Sequence, residues 1–229
     1  MTKSALVIID CETLSTFVES APIISIGAYL MGIIETDESK RTGKDFWEQV
    51  EDYNLISDSF HTIVNYKYQI ASGRKIDTAT WDWWQSVGGK AVELLDRSRE
   101  TNLSLCVGLG WLSQWIKDIE GKVDEVIVLG NGAAFDNVLL EIAYREYGLD
   151  IPWKYSHSLC LRTLYGIFGL ESTKFEVSDV AKEMVTAKHG SFIAHDALHD
   201  CIYQAHKARM IVPGELWVNL TNNLHKRKK

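Results

Sequence analysis

The sequence predicts an α/β domain built on a mixed β-sheet, and three observations carry that expectation. Ala5-Leu6-Val7-Ile8-Ile9 is a continuous apolar run that stops at Asp10, as expected of a strand buried on both faces. Pro22 to Met31 is a second run, with proline at its start where no ladder donor is lost. Glu125 to Leu129 is a third, closed by Gly130-Asn131-Gly132 and followed at once by Phe135, Val138, Leu139, Ile142 and Ala143 at helical spacing. Strands first, then strand and helix in alternation, give this class.

The remaining elements follow the same logic. Thr36 to Asp52 is charged and reads as a solvated hairpin tip or loop, and His61 to Tyr66 as a third strand. From Thr78 the pattern turns helical. Trp111 to Ile119 is an amphipathic helix, with Trp111, Leu112, Trp115, Ile116 and Ile119 on one face. Gly148 ends the helix that begins near Phe135, and Pro152 prevents its continuation. Leu159 to Phe168 and Val177 to Val185 read as shorter helices. Asp196 to Ile211 reads as a long final helix stopped by Pro213-Gly214. No repeat or linker divides the chain. One domain is expected over 1–215, with an extended region at 35–125, followed by a C-terminal segment at 216–229 that ends in a basic tail.

Composition excludes several classes of function. With 229 residues, 46 % hydrophobic and 24 % charged, the chain can bury a sizeable core and is not disordered as a whole. No apolar run reaches membrane-helix length, and Ala5 to Asp10 is too short for a signal-peptide core, so a cytoplasmic protein without membrane association is expected. Cys11, Cys106, Cys160 and Cys201 lie far apart without a C-x-x-C pair, which argues against a zinc site and a disulfide framework. A net charge of −7 excludes a bulk basic nucleic-acid binder. Lys226-Arg227-Lys228-Lys229 supplies +4, so the remaining body carries −11, from 20 basic and 31 acidic residues. Such a body approaches a polyanion only if some of its carboxylates hold cations.

Three groups of residues bear chemistry. Asp10 and Glu12 stand at i and i+2 where a buried strand ends, so both carboxylates project to one side of the sheet; they repel unless one is protonated or a cation lies between them. Asp136 lies in the first turn of a helix after a buried strand, where the helix dipole also favours an acid. Gly130-x-Gly132-x-x-Phe135 lacks the third small residue of a dinucleotide fingerprint. His195 stands at a helix start and Asp200 about one turn inside. Ala197, small and on the Asp200 face, would let that helix approach the strand of Asp10. His199 is a rival histidine one position before Asp200.

The order D-x-E, D, H-x-x-x-x-D resembles the DEDDh branch of the DnaQ-like 3′–5′ exonucleases. The neighbours match too: Thr13 after Glu12, Asn131 and Phe135 before Asp136, and Ala197 between His195 and Asp200. Phe192 to Cys201 and Thr80-x-x-Trp83-Trp84 are most similar to the phage exonuclease A subgroup, and the mycobacterial-type exoribonuclease domain shares the layout. Cys160 before Arg162-Thr163 departs from the acidic residue that many relatives carry there.

The resemblance implies a ribonuclease-H-like mixed sheet flanked by helices. It further implies hydrolysis of phosphodiester bonds at single-stranded 3′ ends with release of nucleoside 5′-monophosphates. DNA is favoured, with an exoribonuclease as the alternative and a silent nucleic-acid-binding module as a remoter one. It implies two Mg²⁺ or Mn²⁺ ions held by Asp10, Glu12, Asp136 and Asp200, with His195 as the general base toward the attacking water. Thr13, Leu14, Asn131 and Phe135 become candidates for substrate contact, Leu14 and Phe135 equally for core packing. Trp81-x-Trp83-Trp84 reads as core, interface or base-stacking platform. A homodimer is compatible with the tryptophan content, a host-cell cytoplasm with a phage origin, and the basic tail with phosphate attraction.

Overall fold

The computed structural model describes residues 3–35, 58–167 and 174–226. The charged segment Thr36 to Asp52 and the tail residues Arg227 to Lys229 lie outside the described residues. The backbone forms a five-stranded sheet in the order β3-β2-β1-β4-β5. Its strands are β1 (Lys3–Thr13), β2 (Ile23–Glu35), β3 (Ser59–Ile63), β4 (Glu125–Gly130) and β5 (Ser158–Cys160). β1 pairs antiparallel with β2 and parallel with β4, and β5 continues parallel to β4. The helices are α1 (Tyr66–Ala71), α2 (Thr78–Val87), α3 (Gly89–Glu100), α4 (Leu105–Glu120), α5 (Asp136–Glu146), α6 (Leu161–Ile167), α7 (Lys174–His189), α8 (Ala197–Ile211) and α9 (Gly214–Lys226). No helix among the described residues is long and apolar enough to cross a membrane.

The alternation of β1 sorts the core into two layers. Ala5, Val7, Ile9 and Cys11 meet Leu109, Leu112 and Ile116 of α4 and Leu139, Leu140 and Ala143 of α5. Leu6 and Ile8 meet Cys201, Ile202 and Ala205 of α8 and Trp217 of α9. Asp10 and Glu12 continue the even-numbered series, so strand geometry alone sends them to the α8 side. A third cluster, with Leu14, Ile24, Tyr66, Trp84 and Leu94, closes the end of the β1–β2 pair.

Several elements differ from the sequence expectation. The third strand, expected over His61 to Tyr66, runs over Ser59–Ile63, because Asn65 caps α1 by accepting from the amides of Lys67 and Tyr68. The helix expected at Trp111 starts six residues earlier, capped by Ser104. Gly108 and Gly110 masked that start, and Gly108 is required by Val64, whose methyl would crowd a Cβ there. The segment expected to be helical from Leu159 opens with a three-residue strand before α6. α8 is not the last helix: Pro213 ends it, but Gly214 begins α9, whose Trp217 is fully buried. Gly148 ends α5 as expected, at φ 64°, with its N–H donating to Arg145.

Candidate active site

The parallel pairing of β1 with β4 stops at Ile9 and Gly130, while β1 runs on to Thr13 against β2 alone. This split at the carboxyl ends of parallel strands opens a crevice, the usual place for a ligand in such sheets. The Cys11 N–H, left without a β4 partner, donates to the Asp136 carboxylate at 3.3 Å. In this way the first turn of α5 delivers Asp136 to the strand carrying Asp10 and Glu12.

α8 closes the crevice from the other side. A Cβ on Gly27, the register partner of Asp10, would overlap the backbone of Ala197, so glycine there lets the start of α8 touch the sheet. Asp196 caps α8 by accepting from the amides of Leu198 and His199. One turn further, Asp200 accepts the His195 N–H at 3.2 Å, and Gln204 donates to Asp10 Oδ1 at 3.0 Å. The result is a cleft of about 310 Å³ lined by Asp10, Glu12, Asn131, His195, Asp200 and Gln204, among others.

Glu12, His195 and Asp200 each offer one ligand atom, all within 4.8 Å of one another. Burial raises all four carboxyls; among the described residues the nearest cations are Arg162, whose charge acts on Asp136, and Lys207 at the far wall of the cleft. Glu12 is pushed up to about 8 by burial and then by the Asp200 and Asp136 charges. Asp200 is raised to about 7 by burial, against the relief of the His195 amide. Asp136 reaches about 6, burial outweighing the amide bonds it accepts. Asp10 is also raised well above the usual carboxylate range, by burial and then by its acidic neighbours. A buried group of like charges with oxygen donors and an imidazole suits a hard divalent cation, which would hold the acids ionised.

His195 departs from regular backbone, with φ 61°, a left-handed conformation costing a non-glycine residue about 1–3 kcal/mol. Its ring stands edge-to-face with Trp83 at 4.7 Å and with Trp84 at 6.1 Å. Trp84 is buried and donates from Nε1 to the Thr13 carbonyl, so the tryptophan pair connects the histidine loop to the end of β1. Burial lowers the His195 pKa, which keeps the imidazole neutral and able to accept a proton near neutral pH. His199, the rival, turns away: its Nδ1 accepts the Ile193 N–H at 3.0 Å and so braces the loop that carries His195.

The expected residues therefore divide. Asp10, Glu12, His195 and Asp200 line one cleft with Asn131, and Asp136 buttresses it through Cys11. Thr13 contributes a carbonyl to Trp84. Leu14 is fully buried beside Trp84 and Tyr66, and Phe135 packs on the first core layer; neither lines the cleft, which favours their packing role. Arg162, two residues after Cys160, lies against Gly132 and its charge eases the ionisation of Asp136. Sequence reasoning missed Gln204, although it shares the Asp200 face at i+4.

A family model described as the 3′–5′ exoribonuclease Rv2179c-like domain matches residues 5–212. The chain belongs to that family. The "3′-5′ DNA exonuclease Cap18" of Escherichia coli is 29 % identical over 101 residues, covering 43 % of this chain and 51 % of that protein. The match thus spans about half the length of that curated relative. Among solved structures, the nuclease domain of 3′hExo, described as a DEDDh family member bound to rAMP, superposes with a TM-score of 0.54 at 17 % identity, covering 91 % of each chain. A full-length 3′-exonuclease superposes at 0.50 and 14 % identity, covering 93 % of this chain and 61 % of that one. The fold is accordingly that of the ribonuclease-H-like 3′–5′ exonucleases.

Proposed function

We propose that the chain is a divalent-metal-dependent 3′–5′ exonuclease of single-stranded nucleic acid. The observation that carries this reading is the convergence of Asp10, Glu12 and Asp200 with a neutral His195 in one cleft at the split between β1 and β4. Asp10, Glu12, Asp136 and Asp200 would hold Mg²⁺ or Mn²⁺, which when bound supplies charge stabilisation to the attacking and leaving oxygens of an in-line displacement.

The protein's own groups do the rest. Gln204 keeps one oxygen of Asp10 in a hydrogen bond and so fixes the orientation of the other. The Asp200 carboxylate ties down the His195 backbone, while Trp83 and Trp84 confine the ring. His195 accepts the proton of the attacking water, and the products are a nucleoside 5′-monophosphate and a chain one residue shorter. DNA is favoured, since the named relative is a DNA exonuclease; the family description supports RNA as the alternative polymer.

The test is digestion of 5′-labelled single-stranded DNA and RNA of one sequence with Mn²⁺, Mg²⁺ or chelator. A metal-dependent ladder shortening from the 3′ end is expected, faster on DNA. A faster RNA ladder would reverse the polymer preference, and no ladder on either polymer by the folded protein would remove the activity.

A further inference from the structure

The cleft has a second wall that the chemistry described above does not use. Lys207 stands seven residues beyond Asp200 on α8, which places it on the same helical face about 10 Å farther along the axis. Apart from His195, it is the one basic side chain lining the cleft among the described residues. Its ammonium rests over the rings of Tyr165 and Tyr203, 5.4 and 5.7 Å from their centroids. Tyr203 is itself anchored through its hydroxyl to Ser178 at 3.0 Å. Two rings hold the lysine in place while leaving its charge uncancelled, and among the described residues it makes no ion pair.

A second observation points to a ligand at the same wall. The Tyr165 hydroxyl, a donor that a phosphate oxygen can accept from, has no hydrogen-bond partner among the described residues. An unbonded buried hydroxyl is costly, and an anionic oxygen entering the cleft would give it an acceptor. Acidic residues crowd the opposite end. A polyanion entering here needs a fixed positive charge one step away from the reacting phosphate.

We propose that Lys207 and Tyr165 form a subsite for the phosphodiester next to the one that is cut, on its 5′ side. The preferred substrates are then strands that carry at least two phosphodiesters. This rests on the exonuclease reading. Lysine acts on phosphate as a point charge and reads no base, so the subsite adds affinity without sequence preference.

The experiment compares a 5′-labelled oligothymidylate with the p-nitrophenyl ester of thymidine 5′-monophosphate, which has a single phosphodiester. Wild type, Lys207→Gln, Lys207→Arg and Tyr165→Phe are assayed across a range of salt concentrations. Lys207→Gln is expected to lower kcat/KM on the oligonucleotide about tenfold more than on the ester, through KM. It should also flatten the log–log salt dependence by about 0.7. Lys207→Arg should restore both, and Tyr165→Phe should raise the oligonucleotide KM by a smaller factor. Equal losses on both substrates, or an unchanged salt slope, overturn the subsite. A wild type that cleaves neither substrate with metal present overturns the exonuclease reading and the subsite with it, whereas cleavage of both with no selective loss overturns the subsite alone.

Discussion

Glu125 and Glu12 are buried glutamates at opposite ends of the paired strands β4 and β1, 3 % and 8 % exposed. Their surroundings differ in sign. Glu125 lies 3.7 Å from the Lys154 ammonium and 3.7 Å from the His157 imidazole. Glu12 faces Asp200 and Asp136, and burial with those charges raises it to about 8. At one end of the sheet the fold sets a cation beside a single glutamate; at the other it collects four carboxylates, against which Arg162 acts only on Asp136 and Lys207 stands at the far wall. A buried charge persists only with compensation, and on the proposed reading a divalent cation would supply it at the Glu12 end.

The sharpest break of this comparison is Asp10→Asn, which should cut metal-dependent turnover by at least about 100-fold, more than loss of an outer-shell contact. Glu125→Gln, at the end of β4 away from the cleft, should leave turnover per folded molecule within about twofold, as expected of a site that shares no partner with it. Comparable losses in the two variants would erase the distinction between the ends.

Next in size is Trp83→Leu. It should lower kcat about tenfold with little change in KM or in metal binding by calorimetry, and Trp83→Phe should recover most of the loss. A change in metal affinity matching the change in kcat would make Trp83 a purely structural residue. The smallest effects are on stability and have opposite signs. At pH 8 without metal, Glu125→Gln should destabilise by about 1–3 kcal/mol because it leaves its partners unpaired, whereas Glu12→Gln should raise the melting temperature by removing a charge the site disfavours.

Much of the site was legible in the sequence because its residues sit where short-range rules operate. Asp10 and Glu12 follow from a period of two at the end of an apolar run, and Asp136 and Asp200 from helix starts. Gln204 and Lys207 extend the face of Asp200 by one and two turns and were within reach of the same period. The role of Trp83 was not, since it depends on a ring contact across more than a hundred residues. α9 was missed because Pro213-Gly214 reads as a stop, although proline and glycine also precede helices. The start of α4 was hidden by Gly108 and Gly110; Gly108 answers to close packing against Val64, a tertiary demand that local propensity does not express, while the position of a Cβ on Gly110 is open.

On the proposed reading, the like-charged carboxylates of Asp10, Glu12, Asp136 and Asp200 would be held ionised by a divalent cation. Glu12, Asp200 and Asp136 have folded values of about 8, 7 and 6, all above the carboxyl values near 4 of an unfolded chain. Between about pH 4 and pH 8 these three groups hold more protons folded than unfolded, so their contribution to stability falls as pH rises; the lowered values of His206, His61, His189 and His195 act the other way only below about pH 6.5. The most direct measurement is the melting temperature from pH 5 to pH 8, in chelator and in Mn²⁺ or Mg²⁺. In chelator it should fall from about pH 6.5 toward pH 8, above the range in which the histidines titrate, and the cation should restore it most at the alkaline end, where the cluster is charged. A melting temperature indifferent to the cation at pH 8 would contradict the account.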